Sequence, residues 1–211
     1  MTSVTVLDYG LGNILSVKRA VEFNSYNCKV SSCKEDIINS SHLIIPGVGD
    51  FSNAINTLNN GFLSEYILNR AKKGLPILGI CLGMQLLADV GFEGGKNFGL
   101  GLIPGEVKKL PNRDPLSNKQ LKIPNIGWRS VKSPLEKENN LFSQITNKKE
   151  FYHVHSYQFI PRSKEYIIGE SKFGNIDIVV AIRKGNVFGT QFHLEKSGEP
   201  GLLLLKKFLS I

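Results

Sequence analysis

The chain has 211 residues, of which 41% are hydrophobic and 21% are charged, a composition typical of a globular protein with one sizeable core. No apolar run reaches the ~20 residues that a helix needs to cross a bilayer. Residues 1–4 lack the basic and apolar segments that begin a secretory signal. We therefore expect one domain over residues 1–211 that is cytoplasmic and has no membrane partner.

Charge and cysteine content exclude further classes. The formal net charge is +8, but the lysines are scattered in pairs such as 72–73 and 206–207, without a basic run interleaved with aromatic residues. This pattern indicates solvated faces rather than a nucleic-acid site. The three cysteines are too few, and odd in number, for a disulfide framework. Cys28 and Cys33 lack companions at zinc-ligand spacing, so we expect no metal site.

In the first half of the chain, short apolar runs alternate with segments of helical periodicity. The runs are β-rich or buried in character, and the periodic segments repeat apolar residues every three or four positions. Such alternation predicts a mostly parallel sheet with helices on both faces. In chain order, the predicted elements are a strand at 4–7, a helix at 14–23, a strand at 43–45, helices within 54–67, a strand at 76–80 and a helix at 82–90.

The second half has a different texture, with loops rich in glycine and proline between shorter strands. Loops are predicted at 91–104 and 111–124, and a final helix at 202–209 with Pro200 near its first turn. The segments between them predict additional, antiparallel strands, so the fold class is α/β. The predicted strands are 152–159, 166–170, 176–182 and 187–191.

The clearest chemical motif is Gly79-Ile80-Cys81-Leu82-Gly83, between a predicted buried strand and a predicted helix. It resembles a nucleophile elbow with cysteine as the nucleophile, since glycines flank the reactive residue where a sharp turn leaves no room for side chains. A helix N-terminus favours the thiolate of Cys81, and the N–H of Leu82 can stabilise an oxyanion. The alternative is a buried cysteine at a tight junction.

A thiol nucleophile needs a base and a group that orients the base. His193 and Glu195 follow the predicted strand 187–191, and two residues that are two apart on an extended segment project to the same side. His193 can then take the proton of Cys81 while Glu195 holds the imidazole in the required tautomer. A surface histidine beside a surface glutamate is common, but its combination with the cysteine elbow is far more specific.

Over essentially its whole length the sequence resembles the triad, or class I, glutamine amidotransferases. Within that family it is most similar to the glutaminase subunits of imidazole glycerol phosphate synthase. The elbow motif GICLGMQL indicates the superfamily, and the motifs DYGLGN, PGVG and HSY indicate the subfamily. These motifs begin at Gly79, Asp8, Pro46 and His155. The resemblance implies a flavodoxin-like class I glutamine amidotransferase fold.

The same resemblance implies the substrate, the partner and the residue roles. L-Glutamine would be hydrolysed without a metal or organic cofactor, and ammonia would pass to a (β/α)8-barrel cyclase of histidine biosynthesis in a heterodimer. By motif match, the triad is Cys81, His193 and Glu195; the oxyanion hole is Gly47, Val48, Gly49 and Leu82; the glutamine-binding residues are Gln85, His155, Ser156 and Tyr157; and the partner surface includes Asn13, Trp128 and Lys196.

Three positions depart from the family pattern. Leu194 stands where proline is usual, and we expect it to be extended and the triad to be preserved. Asn125 and Arg129 differ from the usual PHMGWN, near the expected partner surface. These departures leave open a paralogous glutaminase that feeds another synthase, such as one that amidates a surface sugar. A non-catalytic module on the same fold would predict a broken triad, and all three residue types are present.

Overall fold

The computed structural model describes residues 3–133, 141 and 149–211, so residues 1–2 of the segment considered for a secretory signal lie outside it. The strands are β1 (Ser3–Leu7), β2 (Asn27–Ser31), β3 (His42–Ile45), β4 (Ile77–Ile80), β5 (Val90–Gly91), β6 (Asn97–Phe98), β7 (Gly105–Lys109), β8 (Asn125–Lys132), β9 (Glu150–His155), β10 (Tyr157–Pro161), β11 (Ile167–Phe173), β12 (Ile176–Lys184) and β13 (Val187–Thr190). The helices are α1 (Ile14–Phe23), α2 (Lys34–Asn39), α3 (Phe51–Asn60), α4 (Leu63–Lys72), α5 (Leu82–Gln85) and α6 (Gly198–Leu209), with 3-10 turns at Lys164–Tyr166 and Leu194–Lys196. In this described part, no helix combines the length and the apolar character needed to span a membrane.

A nine-stranded mixed sheet forms the centre, in the order β2-β1-β3-β4-β13-β12-β11-β8-β9. The four pairings that join β2, β1, β3, β4 and β13 are parallel. The four pairings that join β13, β12, β11, β8 and β9 are antiparallel. The fold-class prediction is confirmed, with an antiparallel part as extensive as the parallel part. In such parallel sheets, ligands bind beyond the carboxyl ends of the strands. Residues 46–49, Cys81 and His193 all follow the carboxyl ends of adjacent strands, namely β3, β4 and β13.

Two apolar clusters cover the two faces of the sheet. Along β4, Leu78 and Ile80 point into the first cluster while Ile77 points into the second, as alternation along a strand requires. Helices α1 and α6 pack on the first face, and α2 to α5 pack on the second. The fully buried Phe188 and Phe208 pack edge to face between sheet and helix, with ring centroids 5.7 Å apart. The parallel core therefore holds the strand ends that carry the motifs.

The predicted continuous strand 152–159 is wrong, because the chain changes sheets at Ser156. Strand β9 pairs with β8 in the large sheet, whereas β10 pairs with β7 in a four-stranded sheet of order β10-β7-β5-β6. The carbonyl of Ser156 accepts a hydrogen bond from the N–H of Leu110, 2.9 Å away. This main-chain contact holds the break, which lies in the HSY motif.

The predicted helix 82–90 is also wrong, since helical geometry stops at Gln85. The carbonyls of Leu86, Leu87, Ala88 and Asp89 accept hydrogen bonds from N–H groups in the loop at residues 99–103. A continuing helix would direct these carbonyls to its own next turn. The glycine-rich loop thus competes successfully with the helix and leaves only a short elbow helix.

Candidate active site

The elbow at the end of β4 forces Cys81 into a strained conformation. Cys81 has φ +55° and ψ −110°, a region that residues with a side chain rarely adopt, and its N–H donates to the carbonyl of Thr190 at 2.7 Å. A Cβ on Gly79 would lie 2.5 Å from the carbonyl oxygen of Gly83, and a Cβ on Gly83 would overlap the carbonyl of Ile45. The flanking glycines are therefore required by packing, as the motif predicted.

The predicted base and its orienting carboxylate meet beside the elbow. Nδ1 of His193 lies 2.8 Å from Oε1 of Glu195, and the two side chains are 2% and 1% exposed. An ionised carboxylate only accepts, so Nδ1 carries the proton and Nε2 is left for the nucleophile. Nε2 is buried without a hydrogen-bond partner among the described residues, and His193 and Cys81 line the same cavity.

The electrostatics of the pair favour a charged imidazole. Burial lowers the pKa of His193, but its interactions with Cys81 and then Glu195 outweigh burial and raise the pKa to about 10. An imidazolium beside a sulfur atom stabilises the thiolate, which is the nucleophilic form of cysteine.

The predicted extended geometry of the segment after β13 is wrong. Residues Leu194–Lys196 form a 3-10 turn, in which the N–H of Lys196 donates to the carbonyl of His193 at 3.2 Å. The turn still brings the imidazole of His193 to the carboxylate of Glu195. Leu194, the residue that departs from the family pattern, is 2% exposed and packs in the core, so the triad contact survives the substitution.

The predicted oxyanion residues come together from two elements. Val48, Gly49 and Leu82 line the cavity that contains Cys81. Gly47 lies beneath them, and a Cβ there would be only 2.8 Å from the Cβ of Leu82. The loop is thus fixed at Gly47, whereas Val48 is 42% exposed and Gly49 has φ +111°, a conformation that glycine adopts at low cost.

The opening DYGLGN turn braces both the loop and the triad, a role that the sequence did not reveal. Oη of Tyr9 donates to the carbonyl of Pro46 at 2.7 Å, and a Cβ on Gly12 would touch the ring of Pro46. Nδ2 of Asn13 donates to Oε1 of Glu195 at 3.4 Å. Asn13, which we expected at the partner surface, therefore also contacts the triad.

The cavity beside Cys81 has a volume of about 320 Å³, within the ~300–1,000 Å³ usual for small-molecule sites. Nε2 of Gln85 donates to Oε1 of Gln191 at 3.0 Å, and Nε2 of Gln191 lies 3.7 Å from the sulfur of Cys81. Oε2 of Glu93 accepts from the N–H of Phe51 at 3.0 Å. The lining residues are Val48, Gly49, Cys81, Leu82, Gln85, Glu93, Pro124, Val154, His155, Ser156, Tyr157 and His193.

Gln191 and Glu93 contribute to this site although no role was predicted for either. Gln191 is fully buried and stands two residues before His193, in a motif that could have drawn attention to it. Glu93 lies in the glycine-rich loop with no local signal. Burial is the main cause that raises its pKa. Among the described residues, no group of three or more His, Cys, Asp and Glu side chains is arranged to hold a metal ion.

The HSY residues all line the cavity, but both ring nitrogens of His155 already form hydrogen bonds within the protein. Its Nδ1 lies 2.8 Å from the carbonyl of Tyr157, and its Nε2 lies 3.0 Å from Nδ2 of Asn125. The carbonyl requires a proton on Nδ1, so Nε2 accepts from the amide of Asn125. Burial is the main cause that lowers the pKa of His155 to about 4, so the ring is neutral. Asn125, one of the family departures, donates the hydrogen bond that satisfies Nε2 in this tautomer.

Trp128 and Lys196 lie on one surface next to the triad. The indole of Trp128 is 47% exposed and packs edge to face on Tyr152, with centroids 5.9 Å apart. Nζ of Lys196 lies 6.0 Å from the ring centroid of Tyr152, whose carbonyl accepts from the N–H of His193 at 2.9 Å. Ile126, 52% exposed, lies two residues from Trp128 on the same strand. We call Ile126, Trp128, Tyr152 and Lys196 the triad-side patch.

The fold and the site define a class of protein. Residues 5–210 match the family described as Glutamine amidotransferase class-I. The match spans nearly the whole chain, and the chain belongs to that family.

Two relatives and one solved structure are similar to the chain over nearly its whole length. The "Imidazole glycerol phosphate synthase subunit HisH" of Moorella thermoacetica is 41% identical over 208 residues, covering 99% of this chain and 94% of the relative. The protein of the same description from Caldanaerobacter subterraneus subsp. tengcongensis is 42% identical over 205 residues, covering 97% and 96%. The solved "Structure of PurLQS from Thermotoga maritima" has a TM-score of 0.73 at 18% identity, covering 99% of this chain and 97% of the other, and supports the fold alone.

Proposed function

We propose that this chain is the glutaminase subunit of an imidazole glycerol phosphate synthase, which hydrolyses L-glutamine to glutamate and ammonia. The observation that carries the proposal is the contact of His193 with Glu195 beside the strained Cys81, in one small cavity. Relatives that share 41–42% identity over nearly the full chain bear that subunit's name. Their name favours this assignment over a paralogous glutaminase that serves another synthase.

The proposed reaction is acyl transfer through a thioester. The Cys81 thiolate attacks the γ-carbonyl carbon of glutamine, and a carbon–sulfur bond forms. N–H groups of Leu82 and of the loop at residues 47–49 stabilise the oxyanion, since the first N–H groups of a helix lack intrahelical partners. The carbon–nitrogen bond then breaks, and ammonia leaves with the proton of His193 Nε2. Water, deprotonated by His193, attacks the thioester and releases glutamate and the Cys81 thiolate.

The cavity contains polar groups that can bind the amino-acid head of glutamine. The Glu93 carboxylate faces the cavity and can accept from an ammonium group. Gln85, one turn into the elbow, reaches the cavity with its side-chain amide, which is tied to Gln191. His155 supplies a neutral ring and positions the main chain of Ser156 and Tyr157 through its bond to the Tyr157 carbonyl. We assign these residues to glutamine binding.

We place the synthase partner, a (β/α)8-barrel cyclase, on the triad-side patch in a cytoplasmic heterodimer. Aromatic residues such as the exposed Trp128 are enriched in protein interfaces, and Ile126 adds exposed apolar surface beside it. The patch adjoins the triad through the Tyr152 carbonyl, and Asn13 reaches the Glu195 carboxylate from the other side. Ammonia released at Cys81 would enter the partner there and react with a ribonucleotide, giving imidazole glycerol phosphate and aminoimidazole carboxamide ribonucleotide.

The experiment is a glutamate-release assay of this chain mixed with the same organism's histidine-pathway cyclase and its nucleotide substrate, with Cys81→Ala as the control. We expect release that depends on both Cys81 and the partner. Absence of stimulation, with a cyclase shown to be active on free ammonia, would retain the glutaminase site and reject the histidine-pathway partner.

A further inference from the structure

A second and much larger concavity lies next to the catalytic cavity. It has a volume of about 1,370 Å³ and runs between the end of β7, the loop at residues 111–124, β8 and the β11–β12 turn. Pro124 lines both concavities. We call this feature the basic groove. Its size exceeds the ~300–1,000 Å³ typical of a small-molecule pocket, so it suits a stretch of polypeptide.

The groove has an apolar floor and a cationic rim. Leu110 and Phe173 are buried in the floor, whereas the rim cations are solvent-exposed. Within the described ranges, Lys109, Lys122 and Arg129 form no ion pair with a carboxylate, and no acidic residue lines the groove. The rim cations are Lys109, Lys122, Arg129 and Lys172, the last of which is paired with Asp177 at 2.9 Å. An apolar centre with a charged rim is the anatomy of a protein interface.

The floor also carries a buried acceptor that lacks a donor. Asn125 is 2% exposed, and its Nδ2 donates to His155, but its Oδ1 is buried without a hydrogen-bond partner in the described chain. Such a group costs free energy unless a bound molecule satisfies it. Oδ1 has no solvent access in the unbound groove, so a main-chain N–H of a bound extended segment reaches it only when the Asn125 side chain shifts. The same side chain donates to Nε2 of His155, which lines the catalytic cavity.

We propose that the basic groove binds an acidic, partly apolar segment of the synthase partner, and that Asn125 links its occupancy to His155. The inference rests on the proposed function, since it extends the partner surface. Ile126 belongs to both the groove wall and the triad-side patch, so the two surfaces are continuous. The cationic rim attracts the segment, the floor takes its apolar side chains, and Asn125 Oδ1 accepts from its main chain.

The test compares two double variants with the same change in net charge. Lys109→Glu/Lys122→Glu reverses the rim, and Lys72→Glu/Lys73→Glu reverses an exposed pair at the end of α4, outside the groove. Affinity for the intact cyclase is measured by titration calorimetry between ~50 and ~500 mM salt, a range over which surface charges become screened. Thermal unfolding verifies that both variants fold.

We expect the groove variant to bind the cyclase ~10- to 100-fold more weakly at low salt, with a flatter salt dependence, and the control pair to bind like the wild type. Equal affinity of the groove variant and the wild type would overturn the groove proposal while leaving the proposed function intact. A wild type that neither binds the cyclase nor is stimulated by it would overturn the proposed function, and the docking proposal with it. Saturable binding of inorganic pyrophosphate in the groove without the partner would replace the protein segment by a small anion as its occupant.

Discussion

The N-terminal half of the site (residues 3–89) and the C-terminal half (residues 125–197) contribute by different physical means. The first half supplies main-chain geometry, through the strained Cys81 and the glycines packed around it. The second half supplies buried side-chain hydrogen bonds, such as His193 to Glu195 and Asn125 to His155. A single added methyl group should therefore disrupt the first half, whereas the second should be sensitive to exchanges that preserve shape and alter charge.

The largest effect is expected for Glu195→Gln. The amide oxygen can still accept from Nδ1 of His193 and from Asn13, but the charge that supports the imidazolium is lost. We expect kcat for stimulated glutaminase to fall by ~10²- to 10⁴-fold. Steady-state kinetics with the partner measures this, with the exposed Glu199→Gln as the matched control. Retention of near wild-type kcat would contradict the assigned role of Glu195.

Gly83→Ala should damage the elbow through its backbone. The new Cβ would overlap the carbonyl of Ile45, which belongs to a buried strand that cannot move freely. We expect the free energy of unfolding to fall by ~2–3 kcal/mol in urea denaturation. Gly61→Ala is the matched control, because φ is −89° there and a Cβ would make ordinary contacts beginning at 3.5 Å. Equal losses of stability at the two glycines would contradict the conclusion that close packing requires glycine at position 83.

Asn125→Asp keeps the shape of a side chain in the second half and changes its charge. The carboxylate cannot donate to Nε2 of His155, so the pKa of His155 should rise from about 4 and the ring should bind a proton. We expect KM for glutamine to vary up to ~10-fold between pH ~6 and ~9 in the variant, and little in the wild type. Asn112→Asp, at an exposed groove position, is the control. A pH-independent KM in Asn125→Asp would contradict the link.

The smallest effect concerns Asp114, far from the triad in sequence and outside the catalytic cavity. Burial opposes its ionisation, but hydrogen bonds from N–H groups of Asn175, Ser117 and Leu116 lower its pKa to about 2. Its stabilising contribution is therefore complete above the ordinary pKa of 3.8 and is lost as pH falls toward 2. Asp114→Asn should unfold more easily than wild type at pH ~7, with a difference that shrinks below pH ~4. A constant difference across that range, or the same behaviour in the exposed Glu165→Gln, would contradict the stabilising role assigned to the Asp114 carboxylate.

Local pattern predicted the parallel core well. The runs at 4–7, 43–45 and 76–80 correspond to β1, β3 and β4, because buried parallel strands are continuously apolar. Strand β2 escaped prediction because its exposed and half-buried residues alternate at the edge of the sheet. The helix predicted at 82–90 failed because its carbonyls bond to a loop ten or more residues later. The hydrophobic periodicity of the sequence does not reveal such competition between a loop and a helix.

Site residues that belong to a local sequence motif could be predicted. Those whose role depends on a contact between distant parts of the chain could not. Cys81, His193 and Glu195 carry recognisable spacing. The contact of Gln191 with Cys81 joins residues 110 positions apart, and the one between Asn13 and Glu195 joins residues 182 positions apart. The partnership of Asn125 with His155 depends on the antiparallel register of β8 and β9. Such pairings exist only once the sheet has formed.

The most direct test of the account is mass spectrometry of the chain quenched with acid during glutamine turnover in the presence of the cyclase and its nucleotide substrate. We predict a γ-glutamyl adduct on the peptide that contains Cys81, present in the wild type and absent from Cys81→Ala. Turnover at wild-type rate by Cys81→Ala, or an adduct on Cys28 or Cys33 alone, would contradict the assignment of Cys81 as the nucleophile.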